Sequence, residues 1–215
     1  MRYIVLDTET TGLDPDDGHK IIEIGCIEII NREVTQNIFH RYINPEREID
    51  IEASKVHGLT LSNLKDKPIF RDVYSELVEY ISDSPIIIHN APFDVGFLQK
   101  EVSYLDNQIK FFNNEIIDSL KLARSISPGK RNSLDALCER YSVDNSDRSL
   151  HGALLDAKLL AFVYLKMTIG QNDFSDLQVK EEIIGVNTSL INHNFKVIEA
   201  SEEDIKLHHN YFKQD

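Results

Sequence analysis

Asp7-Thr8-Glu9 stands at the end of the apolar, β-branched run Tyr3-Ile4-Val5-Leu6 and runs on into Thr10-Thr11-Gly12. Successive side chains of an extended chain alternate faces, so Asp7 and Glu9 project from one side of a strand while Ile4 and Leu6 take the other. Two carboxylates on one face repel each other unless a hard divalent cation between them supplies positive charge. A lone D-x-E also occurs where a polar strand end meets a turn, but here two further groups join it. Asp94 closes the stretch His89-Asn90-Ala91-Pro92-Phe93-Asp94 at a predicted helix start, and His151 and Asp156 bracket the start of the last long helix.

Four carboxylates and a histidine suit a hydrolase that uses two cations about 3.5–4 Å apart to activate a water and stabilise a leaving oxygen in phosphoryl displacement. Oxygen ligands, with neither Cys nor several His among them, point to magnesium or manganese and away from zinc. Five helical steps leave two side chains roughly 140° apart, so His151 and Asp156 cannot share a helical face. They converge only if His151 sits in the loop before the helix. A histidine placed there suits a general base that takes a proton from the attacking water.

The elements that must position these groups are legible in order. Leu13-Asp14-Pro15-Asp16-Asp17-Gly18 is a turn-rich loop, residues 20–30 and 34–43 read as strands joined by a turn at Asn31-Arg32-Glu33, and short connections imply an antiparallel meander opened by the strand of Asp7. A weak helix is expected at 51–56. The spacing of Ile69, Val73, Leu77 and Ile81 predicts an amphipathic helix over 68–82. Pro85-Ile86-Ile87-Ile88 reads as a buried strand, Pro92 opens a helix through Val102, and Ile116-Ile117-Asp118 reads as a further short strand. Helices follow at 119–125, at 134–141 with Ser133 as its cap, and at 152–167. Meander strands first and strand–helix alternation afterwards give an α/β fold with a mixed sheet flanked by helices.

From residue 170 the character changes. Residues 170–195 read as a polar linker and 196–215 as a C-terminal segment whose short helix, with Ile205, His209 and Phe212 on one face, either docks on a partner or packs on its own domain. Residues 1–169 form the folded domain.

The chain has 215 residues and a net charge of −13, which at first argues against a nucleic-acid partner. A protein that gathers carboxylates around cations is locally acidic by necessity and meets phosphate through those cations, so the charge does not decide the matter. No apolar run approaches the roughly 20 residues of a membrane span, so no membrane partner and a cytoplasmic location are expected. Cys26 and Cys138 each lie in an apolar periodic segment and read as buried free thiols.

Asp7-Thr8-Glu9-Thr10-Thr11-Gly12, His89 to Asp94 and His151-Gly152-Ala153-Leu154-Leu155-Asp156 resemble the three exonuclease motifs of the DEDD superfamily in its histidine subtype, and most closely the proofreading subunits of bacterial DNA polymerase III. Supporting stretches are residues 18–25, Val56-His57-Gly58 and residues 128–138. The resemblance covers residues 1 to about 170. It implies a ribonuclease-H-like fold, with three antiparallel strands and then parallel ones, and metal-dependent 3′→5′ hydrolysis of a DNA 3′ end. By position, Asp7, Glu9, Asp94 and Asp156 would bind two Mg2+ or Mn2+ ions and His151 would be the general base. Asp7, Thr8, Glu9, Thr10, Glu52, His57 and Asp156 would contact the terminal nucleotide, and Lys130 and Arg131 either touch phosphate or form a solvated basic loop. The resemblance also implies that residues 196–215 dock on the polymerase's catalytic (alpha) subunit, with a small theta-like third subunit as a further partner. Gln171-Asn172-Asp173-Phe174 stands where many relatives carry a sliding-clamp peptide but lacks most of its apolar anchors. An RNA-trimming relative shares the same motifs, since none of them reads the 2′-hydroxyl. A non-catalytic structural subunit is disfavoured by five intact positions.

Overall fold

The computed structural model describes residues 1–105, 113–146, 148 and 150–169. The linker at 170–195 and the docking segment at 196–215 lie outside the described residues. Within them, β1 (Arg2–Thr10), β2 (Ile21–Ile30) and β3 (Glu33–Tyr42) form an antiparallel meander, and β4 (Ile86–Ile88) and β5 (Ile116–Asp118) add to the other side of β1 in parallel. The sheet order is β3-β2-β1-β4-β5. The β2–β3 hairpin closes through Asn31 and Arg32, at φ 51° and 67°, the paired positive φ of a two-residue turn that matches strand twist.

Seven α-helices are described: α1 (Ile51–His57), α2 (Leu61–Leu64), α3 (Phe70–Ile81), α4 (Ala91–Ser103), α5 (Ser119–Ile126), α6 (Leu134–Tyr141) and α7 (Ala153–Met167). All but α2 were expected within a residue or two at most ends. The single turn of α2 is held by a reciprocal cap in which the Thr60 N–H donates to Asn63 Oδ1 at 2.9 Å, a feature too short to leave a hydrophobic period.

Central placement explains the sequence of β1. Ile4 and Leu6 pack on one face with Val73 and Leu77 of α3 and Phe97 and Leu98 of α4. Val5 packs on the other with Ala123 of α5, Leu137 and Cys138 of α6, and Ala157 and Leu160 of α7. The segment Ile4–Leu6, covered on both faces, is wholly apolar, and the polar residues of the strand stand either side of it, at Arg2 and from Asp7 onward. Cys26 and Cys138 belong to the two different cores and are both buried free thiols. Among the described residues no helix is long and apolar enough to cross a membrane.

One glycine sets how closely α7 approaches the sheet. Gly25 pairs with Asp7 across β1 and β2, and a Cβ at that position would lie 2.3 Å from Leu154 N and 2.4 Å from Leu154 Cα. Its bare backbone lets the first turn of α7 rest directly on β2. That turn carries Asp156.

Candidate active site

Each acidic group arrives on a different element. Asp7 and Glu9 leave the end of β1 on the face that carries Val5. Asp94 lies in the first turn of α4, where Asn90 adopts a left-handed conformation (φ 64°, ψ 50°) that swings the chain off β4, and Pro92 occupies a first-turn site that needs no donor. Asp156 lies in the first turn of α7, where the helix dipole favours negative charge. His151 precedes α7 in the loop, as the spacing argument requires, and its N–H donates to the Val56 carbonyl at 3.0 Å, which ties the loop to α1.

Thr8 couples two of these elements. It faces α4, and both its backbone N–H (3.1 Å) and its hydroxyl (2.7 Å) donate to Asp94 Oδ1. The carboxylate is thereby fixed to β1 through one oxygen. Asp7, Glu9, Asp94, His151 and Asp156 all line one cleft of about 1060 Å³, together with Leu120, Arg124, Lys130, Leu134 and Asp135 among others.

Ligand atoms of Glu9, His151 and Asp156 lie within 4.8 Å of one another. Burial, followed by the charges of Asp94, Glu9 and Asp156, raises the Asp7 carboxyl well above its ordinary range. Burial and then the charges of Asp156, Glu23 and Asp94 push Glu9 up to about 8. Burial pushes Asp94 up to about 7 against the hydrogen bonds from Thr8. Carboxylates forced to hold protons near neutrality are short of positive charge, and an oxygen-rich set of this kind fits a hard divalent cation.

These shifts carry a sign that can be measured. Glu9 and Asp94 in the unfolded chain titrate near the ordinary carboxylate value of about 4, so between there and about 7–8 the native state holds protons that the unfolded state has lost. Stability contributed in this way is complete at low pH and is lost as pH rises through the native values. His57 and His89, lowered by burial, oppose the trend only below about 6.5. Thermal unfolding in EDTA is therefore expected to show a melting temperature that falls from pH 6.5 to 8, and added Mn2+ is expected to flatten that slope. A metal-free profile that is level or rising over this window contradicts the origin given for the shifts.

The remaining expected residues divide. Thr8 lines the cleft but spends its hydroxyl on Asp94, and the Thr10 hydroxyl donates to the Gly12 carbonyl at 2.6 Å. Glu52 is exposed on α1 and paired with Lys55 at 2.6 Å. His57 is buried at the end of α1, where its Nδ1 accepts from the Leu59 N–H at 3.0 Å and its Nε2 finds no well-formed hydrogen bond among the described residues. Thr10, Glu52 and His57 lie outside the cleft wall, whereas Lys130 is part of it.

Arg148 is a site residue that no motif in the sequence singles out. Its side chain is 6% exposed, and Nε and Nη2 donate to Asp156 Oδ1 and Oδ2, each at 2.6 Å. An arginine three residues before His151 in so acidic a chain was the available signal.

A mixed five-stranded sheet with carboxylates gathered at the end of its central strand defines a ribonuclease-H-like nuclease. The family model for exonucleases of the RNase_T type matches residues 4–164. Over 79% of this chain and 93% of its own, the solved structure of exonuclease X in complex with 5′ overhanging duplex DNA superposes with a TM-score of 0.64 at 26% identity. The DNA polymerase III subunit epsilon of Buchnera aphidicola (Schizaphis graminum) is 49% identical over 99% of this chain and 96% of that protein. The subunit epsilon of Rickettsia typhi is also 49% identical, over 97% of this chain and 94% of its own. The chain belongs to the RNase_T exonuclease family and, within it, to the DNA polymerase III epsilon subunits.

Proposed function

We propose that this chain is the 3′→5′ proofreading exonuclease of a bacterial DNA polymerase III, hydrolysing the terminal phosphodiester of a frayed primer to release nucleoside 5′-monophosphates. The observation that carries the reading is the convergence of Asp7, Glu9, Asp94 and Asp156 with His151 on one cleft in a chain of the epsilon family.

Asp7, Glu9, Asp94 and Asp156 would hold two divalent cations, Mg2+ or Mn2+. Such ions supply Lewis acidity, neutralise phosphate charge and polarise an attacking water. The chain's own groups do the rest. Thr8 holds Asp94 still through two hydrogen bonds, so that its carboxylate does not have to be ordered when substrate binds. His151, 46% exposed at the cleft and 3.4 Å from Asp156, takes the proton of the attacking water as general base. Phe93, Leu120 and Leu134 offer apolar surface to the terminal base, while Arg124 and Lys130 face the phosphates of the preceding nucleotides. Thr8, which lines the cleft, lies beside the terminal nucleotide, and by resemblance Thr10, Glu52 and His57 contribute to its binding. Residues 170–195 tether, and residues 196–215 dock on, the polymerase alpha subunit, with a theta-like subunit on the outer face of the domain.

A 3′-mispaired DNA primer tests this reading, incubated with wild type and Asp156→Ala in Mg2+, in Mn2+ and in EDTA. Stepwise loss from the 3′ end that needs metal and Asp156 is the expected result. Trimming of the matched RNA alone would reassign the substrate. Inactivity on both would overturn the catalytic reading.

A further inference from the structure

The cleft already contains a cation, and it belongs to the chain. Arg148 Nε and Nη2 grip both oxygens of Asp156 at 2.6 Å, Nη2 also donates to His151 Nδ1 at 2.9 Å, and Nη1 donates to Asp135 Oδ1 at 2.5 Å. A guanidinium has donors only, so His151 Nδ1 must be the lone-pair nitrogen and the ring proton lies on Nε2. The one nitrogen of His151 able to accept a proton is therefore occupied, and so is the carboxylate beside it. Asp156 and Arg148 are both buried, at 5% and 6% side-chain exposure, where a fork of this kind is strong and a second cation at short range is opposed by the first. Asp135 differs, being 59% exposed on the first turn of α6.

We propose that Arg148 is the site's exchangeable counter-cation: it holds Asp156 and His151 in a closed, metal-free arrangement and passes to Asp135 when a divalent cation takes Asp156. This rests on reading the acidic cluster as the cation site. It makes Arg148 a positioning residue that acts through Asp156 and His151. The exchange keeps Asp156 paired with a cation throughout, and it frees the His151 lone pair only when the cluster is loaded. No bond is made or broken beyond the ion pairs.

The sign of an affinity change tests it. Mn2+ binding to the full-length chain is titrated by electron paramagnetic resonance. Arg148→Ala removes the competitor and is expected to bind Mn2+ roughly tenfold tighter than wild type, the size of one strong charged hydrogen bond. Arg148→Lys, a charge without the fork, is expected to bind about threefold tighter and decides the matter should the alanine variant fail to fold by circular dichroism. Asp135→Asn removes the receiving carboxylate and is expected to weaken Mn2+ binding about threefold, an effect that disappears on the Arg148→Ala background. Wild type that binds Mn2+ while both Arg148 variants bind equally or more weakly overturns the exchange and leaves the cation site standing. Wild type that binds none overturns the site and the exchange together.

Discussion

Asp7→Asn is expected to cut hydrolysis of a 3′-mispaired primer by about three orders of magnitude or more, and at the same time to raise the melting temperature of the metal-free protein. The two effects share one cause. Asp7 sits at the end of a buried strand, and Asp94, Glu9 and Asp156 all act to keep its carboxyl protonated. Replacing it by a neutral isostere removes the cost of burying, beside other carboxylates, an acid that folding must keep protonated. The same change removes a ligand from the set that would hold cations, and loss of cation-derived transition-state stabilisation is worth several kcal/mol, which sets the rate effect. Single-turnover rates at saturating Mn2+ and melting curves in EDTA, on one preparation, measure both. A variant that is inactive but less stable than wild type in EDTA would make Asp7 a structural residue. One that is active would remove it from the site.

The contrast between activity and stability also explains what could be read from the sequence. β1 was legible because it is buried on both faces and then breaks abruptly into Asp7 and Glu9, a change of character that no packing demand explains. The loop position of His151 followed from helical geometry alone, because a five-residue separation excludes a shared face. Two features were beyond that reach. The clamp of Thr8 on Asp94 spans 86 residues and depends on α4 lying against the far side of β1, which no local pattern encodes. Arg148 sits in a stretch of polar residues that would ordinarily be solvated, and its burial arises only once α6 and α7 close around it with Asp135 and Asp156 as partners. Asp7, Glu9, Asp94, His151 and Asp156 all line the cleft, whereas Glu52 and His57 stand outside its wall on α1. The carboxylates and His151 were legible from side-chain chemistry and helical or strand geometry, whereas Glu52 and His57 on α1 were assigned only by resemblance.

His151→Ala is expected to lower turnover by about 10²–10⁴-fold, the range for loss of a general base, while Mn2+ affinity stays within a few-fold of wild type. The prediction is sharp because a second role is sterically open to this residue: its ring lies within 4.8 Å of ligand atoms on Glu9 and Asp156, so it is near enough to bind a cation itself. Exposure separates the roles. Asp94 and Asp156 are buried and fixed, whereas His151 is 46% exposed and held by its backbone to Val56, so once Arg148 releases its Nδ1 the ring can turn between Asp156 and an incoming water. The same openness makes a rescue experiment informative. Imidazole added to His151→Ala can enter the space the ring has left and accept the proton in its place, so partial recovery of turnover that grows with imidazole concentration is expected, and Asp156→Ala is expected to show none. Turnover and Mn2+ affinity that fall together in His151→Ala, with no response to imidazole, would make His151 a ligand and leave the proton to another acceptor.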